Sequence, residues 1–168
     1  MHASKFEIQH EELGDAPALA ALSAEAFGPG RFARAAYRVR EGVAPVASLS
    51  LTGLLDTRLV AGIRFTAVGI GEERGALLLG PLVVDPVHKG KGYGKALVAE
   101  GLARAGAENF RLVVLVGDMP YYGRFGFAPV PPGQITLPGP VDPARLLALE
   151  LVPAALAGAR GLVLARPG

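Results

Sequence analysis

Cysteine is absent from the chain, and with it go disulfides, thiolate metal sites and a covalent cysteine nucleophile. Histidine is scarce: His2, His10 and His88 stand apart with no metal-ligand spacing, so no metal site is expected. Long apolar runs are missing as well. The longest, near Leu77 to Val84, is interrupted by Gly80 and Pro81 and is too short to span a bilayer. The opening MHASKFEIQHEEL has no apolar signal region, so a cytoplasmic location without a membrane partner is expected. Charge of one sign is not in excess either. The 17 basic and 15 acidic side chains leave a formal net charge of +2, too little for a polyelectrolyte partner, and no nucleic acid is expected.

What is present is apolar residues: 51% are hydrophobic and 19% charged, which over 168 residues fits one soluble domain spanning 1–168 with a sizeable core. Phe6 to His10 alternates apolar and polar side chains and reads as a strand. Asp15 is placed to cap a helix beginning at Ala16-Pro17, which carries Leu19, Leu22, Ala26 and Phe27 at helical spacing and stops at Gly28-Pro29-Gly30. A second short helix fits Arg31 to Arg40. Its arginines, Arg31, Arg34, Arg38 and Arg40, read as a solvated surface in preference to an anion site. Val46 to Leu55 and Arg58 to Ile70 then read as antiparallel strands about an Asp56-Thr57 turn, and Gly71 to Gly75 as a hairpin turn into Ala76 to Val84.

The stretch that follows, Gly80 to Leu97, has the order strand, glycine loop, helix start. Leu82-Val83-Val84 is stopped by Asp85-Pro86, and Gly90, Gly92 and Gly94 interleave with Lys89, Lys91, Tyr93 and Lys95 before a helix that runs to about Gly106. Glycines admit close approach of a ligand to the backbone, and the first helical turn leaves N–H groups unpaired; together they make a site for a phosphate or pyrophosphate. Phe110 to Val116 is a buried strand, so this βαβ-like unit should hold two parallel neighbours. Asp118 and Pro120 open a short helix, Met119 to Phe125; Phe127 to Val130 and Leu146 to Val152 read as strands, and the tail from Pro153 has weak periodicity. The sum is an α+β chain built on a mixed, mostly antiparallel sheet with helices on its faces.

Spacing separates the phosphate-binding templates. A P-loop would need Gly where Lys89 stands and Ser or Thr where Ala96 stands. The dinucleotide fingerprint fails at Leu97 when counted from Gly92-Tyr93-Gly94 and at Lys95 when counted from Gly90-Lys91-Gly92. A third pattern, [Q/R]-x-x-G-x-[G/A] between a V-x-P-ended strand and a helix, is met at all but its first position by Val84-Asp85-Pro86, then Lys89-Gly90-Lys91-Gly92-Tyr93-Gly94. A tyrosine a few residues before Gly-Phe accompanies it, as Tyr122-Gly123-Arg124-Phe125-Gly126-Phe127.

On these two motifs the chain resembles the GCN5-related N-acetyltransferase (GNAT) family and, with LGPLVVDP, GDMPYYGRFGF and a late LALEL, its YhbS-like branch. Two departures are visible: Lys89 replaces the usual Gln or Arg, and the segment before Tyr122 is short and has Asp118 in place of the usual Asn. The resemblance implies the acyl-CoA N-acyltransferase fold, a mostly antiparallel twisted sheet with one parallel, splayed strand pair and helices on both faces. Its cofactor core would be residues 76–130, with 131–168 completing the sheet and the acceptor side. It implies acetyl-CoA as co-substrate, its pantetheine amides pairing with the backbone of Leu82, Val83 and Val84 and its pyrophosphate on N–H groups from Lys89 and Gly90 through Lys91, Gly92, Tyr93, Gly94 and Lys95.

The implied reaction is acetyl transfer to a primary amine of a small molecule or peptide in a ternary complex, with a homodimer admitted. Tyr122 is then the acid that protonates the departing thiolate, and a backbone N–H of the Leu82 to Val84 strand stabilises the oxyanion. Adjacent helical side chains diverge by about a hundred degrees, so only one of Tyr121 and Tyr122 should face the gap, and Tyr121 is read as a half-buried aromatic. Glu25 and Asp118 are candidate bases, read first as a solvated side chain and a helix cap; His88 is read as exposed. The acceptor pocket is expected from Phe27 to Tyr37 and from Gly133 to Pro140. Two other readings stay open: a catalytically weak acetyl-CoA sensor or interaction module on the same fold, and a nucleotide-phosphate binder.

Overall fold

The structure, a computed structural model, describes residues 4–27 and 35–166, with backbone only for residues 25–27. Its strands are β1 (Phe6–His10), β2 (Leu51–Leu55), β3 (Arg58–Gly71), β4 (Glu73–Val84), β5 (Leu112–Val116), β6 (Ala128–Pro129), β7 (Ile135–Thr136), β8 (Leu146–Glu150) and β9 (Ala159–Ala165). Its α-helices are α1 (Ala16–Phe27), α2 (Ala35–Arg40), α3 (Tyr93–Ala107) and α4 (Met119–Tyr122). The sheet order is β1-β2-β3-β4-β5-β8-β6, antiparallel throughout except for β4 beside β5.

Alternation along β4 and β5 sorts the core into two layers. Ala76, Leu78, Leu112 and Val114 pack on the side that takes Ala35 and Val39 of α2, while Leu77, Leu79, Val113 and Leu115 pack with Leu97, Val98 and Ala105 of α3. Successive side chains of a strand point to opposite faces, so α2 and α3 lie on opposite sides of the sheet. Helix α1 joins the α2 side: Leu19 and Leu22 pack on Val83. Two glycines set the helix-to-sheet distance. A Cβ on Gly101 would stand 2.8 Å from the Phe65 ring, and one on Gly62 would collide with Leu19, so α3 and α1 seat directly on β3.

Several expectations shift. The strand expected from Val46 begins only at Leu51, because Ala47–Leu49 form a 3-10 turn in which the Leu49 N–H and the Ser50 hydroxyl both donate to the Val46 carbonyl. Asp15 ends a 3-10 turn ahead of α1 and does not cap the helix; its carboxylate accepts from the Glu12 N–H at 2.8 Å. The tail contains a strand, β9. β2 pairs with β3 up to Ile63, and β9 pairs with Val68 to Gly71 further along, giving the exposed end of a long strand a partner. The stop at Gly28-Pro29-Gly30 and the start of the second helix before Ala35 lie outside the described residues.

Leu97 is fully buried between α3 and the sheet. Leu97→Ala is expected to destabilise the protein by about 2–5 kcal/mol, through lost burial and an unfilled cavity. Chemical denaturation measures it, and a change below about 1 kcal/mol would mean that α3 is not the packed layer described.

Candidate active site

The site begins as a failure of strand pairing. β4 and β5 pair only from Ala76/Leu112 to Leu78/Val114. On its other side β4 stays with β3, but the register slips: Phe65 faces Leu79 and Ile63 faces Leu82, so β4 spends one extra residue at Gly80-Pro81. This is a β-bulge, with Gly80 at φ +137° in a backbone region open mainly to glycine. The bulge reverses side-chain parity: Leu77 and Leu79 face α3 before it, Leu82 and Val84 after it. Beyond the bulge the edge of Leu82 to Val84 turned toward β5 has no strand partner, and a cleft of about 1290 Å³ opens there.

At one end of this cleft lies the glycine loop. The buried Asp85 carboxylate accepts from the Val87 N–H at 3.1 Å and shapes the 3-10 turn Pro86–His88. The Lys89 N–H donates back to Pro86, and the next backbone donor with a backbone acceptor is Ala96, which bonds the Gly92 carbonyl at 3.0 Å. Among the described residues the N–H groups from Gly90 to Lys95 thus have no backbone acceptor, and they collect at the start of α3. Gly92 holds the turn at φ +84°. Lys89, Gly90, Gly92, Tyr93, Gly94 and Lys95 line the cleft together with Leu82, Val83 and Val84. Lys91 does not; its ammonium lies 3.5 Å from His88 Nδ1. The Tyr93 ring is stacked on Phe6 of β1 at 4.3 Å, so this residue anchors the loop to the sheet while its N–H faces the cleft end. His88, expected to be exposed, is half-buried and borders the cleft.

The opposite wall is aromatic. Asp118 precedes α4, and the Tyr122 N–H donates to its carbonyl at 3.0 Å. The Tyr122 ring is edge-on to Phe127 (5.9 Å) and Tyr121 (4.9 Å), and it lies over Gly117 so closely that a Cβ there would stand 2.5 Å from the ring. Burial, reinforced by Tyr121 and Asp118, raises its phenol well above the ordinary value. Tyr121 also borders the cleft, contrary to the expectation that only one of the pair would. A Cβ on Gly94 would lie 2.9 Å from the Tyr121 hydroxyl, so Tyr121 crosses the gap to the helix start while Tyr122 stays at the end of β5. Burial raises the Tyr121 phenol too, and Arg124, whose guanidinium sits 5.0 Å from its ring centre, partly counters this.

The cleft at the bulge, away from the glycine loop, is lined by Tyr37, Arg40, Thr66, Pro140 and Arg145 among others, so the region expected from Phe27 to Tyr37 contributes, and the late loop contributes through Pro140 to Arg145. Asp118, a candidate base, is exposed and pairs loosely with Arg145 at 3.6 Å; the Glu25 side chain lies outside the described residues. Arg38 is exposed and donates to the Pro138 carbonyl at 3.2 Å. Arg40 differs from the solvated cluster the sequence suggests: it is half-buried, and loss of hydration pushes its guanidinium down to about 10. Among the described residues no cluster of side chains could hold a metal ion, and no helix is long and apolar enough to cross a membrane.

The loop makes a prediction that needs no ligand. Gly92→Ala meets no atom within 4 Å but forces a left-handed residue, and should cost about 1–2 kcal/mol. Gly106→Ala, equally unobstructed but within α3, should stabilise by about 0.5–1 kcal/mol. Equal effects of the two in urea denaturation would contradict the loop conformation.

Comparison with known proteins places this geometry. Residues 17–127 match the Acetyltransferase (GNAT) family. The uncharacterized N-acetyltransferase YhbS of Escherichia coli strain K12 is 30% identical over 151 residues, which are 89% of each chain. The crystal structure of Escherichia coli YhbS in complex with CoA aligns with 99% of this chain and 92% of its own, at a TM-score of 0.82 and 27% identity. A GNAT family acetyltransferase of Brucella melitensis in complex with acetyl-CoA aligns with 86% of this chain and 96% of its own, at 0.62 and 29% identity. A splayed parallel pair, an unpaired row of N–H groups at a helix start and these relatives agree: the chain belongs to the GNAT acetyltransferase family.

Proposed function

We propose that the protein, as a single catalytic domain, is an N-acetyltransferase that moves an acetyl group from acetyl-CoA to a primary amine by direct transfer in a ternary complex. The observation that carries this reading is the unpaired edge of Leu82 to Val84, which runs from the bulge to the unpaired N–H groups of Gly90 to Lys95. An extended amide-bearing arm can add to such an edge as a strand adds to a sheet, and a pyrophosphate at its end meets donors already oriented at a helix N-terminus. Lys89 and Lys95 border the same end and add a salt-sensitive attraction.

Acetyl-CoA supplies the acyl group as a thioester. In transfer the amine nitrogen forms a bond to the acyl carbon, the carbon–sulfur bond breaks, and the sulfur leaves with the electron pair and needs a proton. Tyr122 is the residue assigned to give it. Its ring sits over Gly117 at the end of β5, across from the bulge, whereas the Tyr121 hydroxyl lies at Gly94, beside the loop. Tyr121 therefore walls the channel, and Tyr122 stands nearer the place where the thioester would end. A buried phenol holds its proton until the sulfur demands it, because burial disfavours the phenolate. Asp118, held near Arg145, is poorly placed to act as the base.

Acetyl-CoA and CoA should each raise the melting temperature, while NAD and ATP at the same concentration leave it unchanged; no shift with either CoA species would defeat the reading. Thiol release across an amine panel tests turnover, and tight CoA binding without turnover would favour a sensor on this fold. Tyr122→Phe is expected to lower kcat about 100-fold with little change in KM for acetyl-CoA, and full turnover would remove Tyr122 from the acid role. The pH profile checks the sign. A raised phenol keeps its proton as pH climbs through the ordinary tyrosine value, so the alkaline limb due to this group lies above about pH 10 and disappears in Tyr122→Phe.

A further inference from the structure

Arg40 is a feature of the cleft that acetyl transfer by itself does not use. It ends α2, lines the cleft and reaches over the bulge: a Cβ on Gly80 would lie 2.8 Å from Arg40 Nη1. The Arg64 guanidinium lies close enough to oppose its charge, and among the described residues Arg40 forms no ion pair. The nearby cation is already committed, since Arg64 makes a two-pronged pair with Glu11 at 2.8 and 2.7 Å. Of the three acids lining the cleft, Glu41 is exposed, Asp118 is exposed and paired with Arg145 at 3.6 Å, and the Asp142 carboxylate accepts from the Ala144 N–H. Arg40 is half-buried and open to the cleft with no ion pair among the described residues, and a guanidinium whose hydration is reduced in this way favours an anion supplied from outside.

That anion is not a phosphate of the donor. Gly80 and Val84 are four strand residues apart, about 13 Å, and the glycine loop lies further along in the same direction. Arg40 is thus at the opposite end of the cleft from the N–H groups of Gly90 to Lys95. One uncommitted, planar, fork-shaped cation suits one monoanionic, planar partner, and that is a carboxylate.

We propose that Arg40 binds a carboxylate carried by the acceptor itself, so that the substrates are small amino acids or short amino-carboxylates whose amine is held at the bulge. This rests on the acetyltransferase reading above. In it Arg40 is a specificity residue: it fixes the acceptor's anion while the amine faces the thioester.

The test measures thiol release with acetyl-CoA and a panel of α-amino acids, β-alanine and γ-aminobutyrate, each against its carboxamide, with phosphoethanolamine as a phosphate-bearing control. Calorimetric binding of the same compounds to CoA-saturated protein is the second readout. The best carboxylate should exceed its carboxamide by about 10- to 100-fold in kcat/KM and in affinity, the range of a hydrogen bond to a charged group. Arg40→Met should erase that ratio through KM, leave the CoA-induced thermal shift intact and not lower the melting temperature, because it removes an unpaired, partly desolvated cation. Arg40→Lys should recover part of the preference. Carboxamides used as well as carboxylates, no carboxylate bound by the CoA complex, a preference for phosphoethanolamine, or an equal loss for charged and neutral acceptors in Arg40→Met would each overturn the proposal. So would a lower melting temperature in both variants with the preference unchanged. Failure of the acetyltransferase reading is recognised separately: where CoA shifts the melting temperature but no amine releases thiol, calorimetry on the CoA complex still decides whether Arg40 selects a carboxylate, and where neither CoA species shifts it, the same calorimetry on the ligand-free protein and on Arg40→Met decides it.

Discussion

One extra residue in β4 is the constraint on which the site depends. β3 holds β4 along its length, so the slip at Gly80-Pro81 cannot be relieved by β4 leaving the sheet; it is expressed on the other edge, where pairing to β5 ends at Leu78 and Val114. The freed backbone groups face a cleft, where a ligand or water can satisfy them, as exposed polar backbone must be. The bulge does a second thing. By reversing parity it lets Leu82 and Val84 stay in the layer under α3 while Val83 turns to α1, so the strand remains packed on both faces although one edge is open. An open edge on a rigid strand is a binding surface that costs no ordering when a ligand arrives.

The two ends of the cleft use different means. At the loop the free groups are backbone: N–H groups oriented by the Asp85 turn and by Gly92, with Tyr93 stacked on Phe6 to hold the helix start against β1. Backbone donors are indifferent to side-chain identity, which is why Lys89 in place of Gln or Arg leaves the row of donors intact. At the bulge the lining is by side chains from segments far apart in sequence, Tyr37 and Arg40 from α2, Thr66 from β3 and Arg145 before β8. Such a surface can change by substitution without disturbing the strand register that creates the cleft.

This division also explains what was legible in the sequence. The loop could be read because its function requires glycine at a left-handed position and an apolar run ended by Asp85-Pro86, both local signals. The parallel β4 and β5 pair followed from the strand, helix, strand order, and the Tyr-Gly-Phe spacing marked the opposite wall. β9 was hidden because its reason for being a strand is the far end of β3, a partner more than eighty residues away in sequence. The reach of Tyr121 to Gly94 was missed for a related reason. A helical rotation of about a hundred degrees separates two neighbouring side chains only when one of them meets a wall, and here the cleft wraps around both. Gly80-Pro81 did carry a sign of the bulge, since neither residue suits the middle of a central strand.

Arg40 shows the limit of reading charge from helical spacing. On the sequence it is one of four arginines within ten residues, and a solvated face is the ordinary fate of such a run. What distinguishes it is position at the very end of α2, where the chain turns away and the side chain is directed across the sheet toward Gly80. Arg38, two residues earlier, points outward and satisfies itself on a carbonyl. The same side chain therefore serves as a surface cation at one position and as a desolvated one at the next but one. A partly desolvated cation without a partner is tolerated where the native state gains something from it, and in a cleft whose other end holds a row of free N–H groups, the gain proposed for Arg40 is selection of the acceptor.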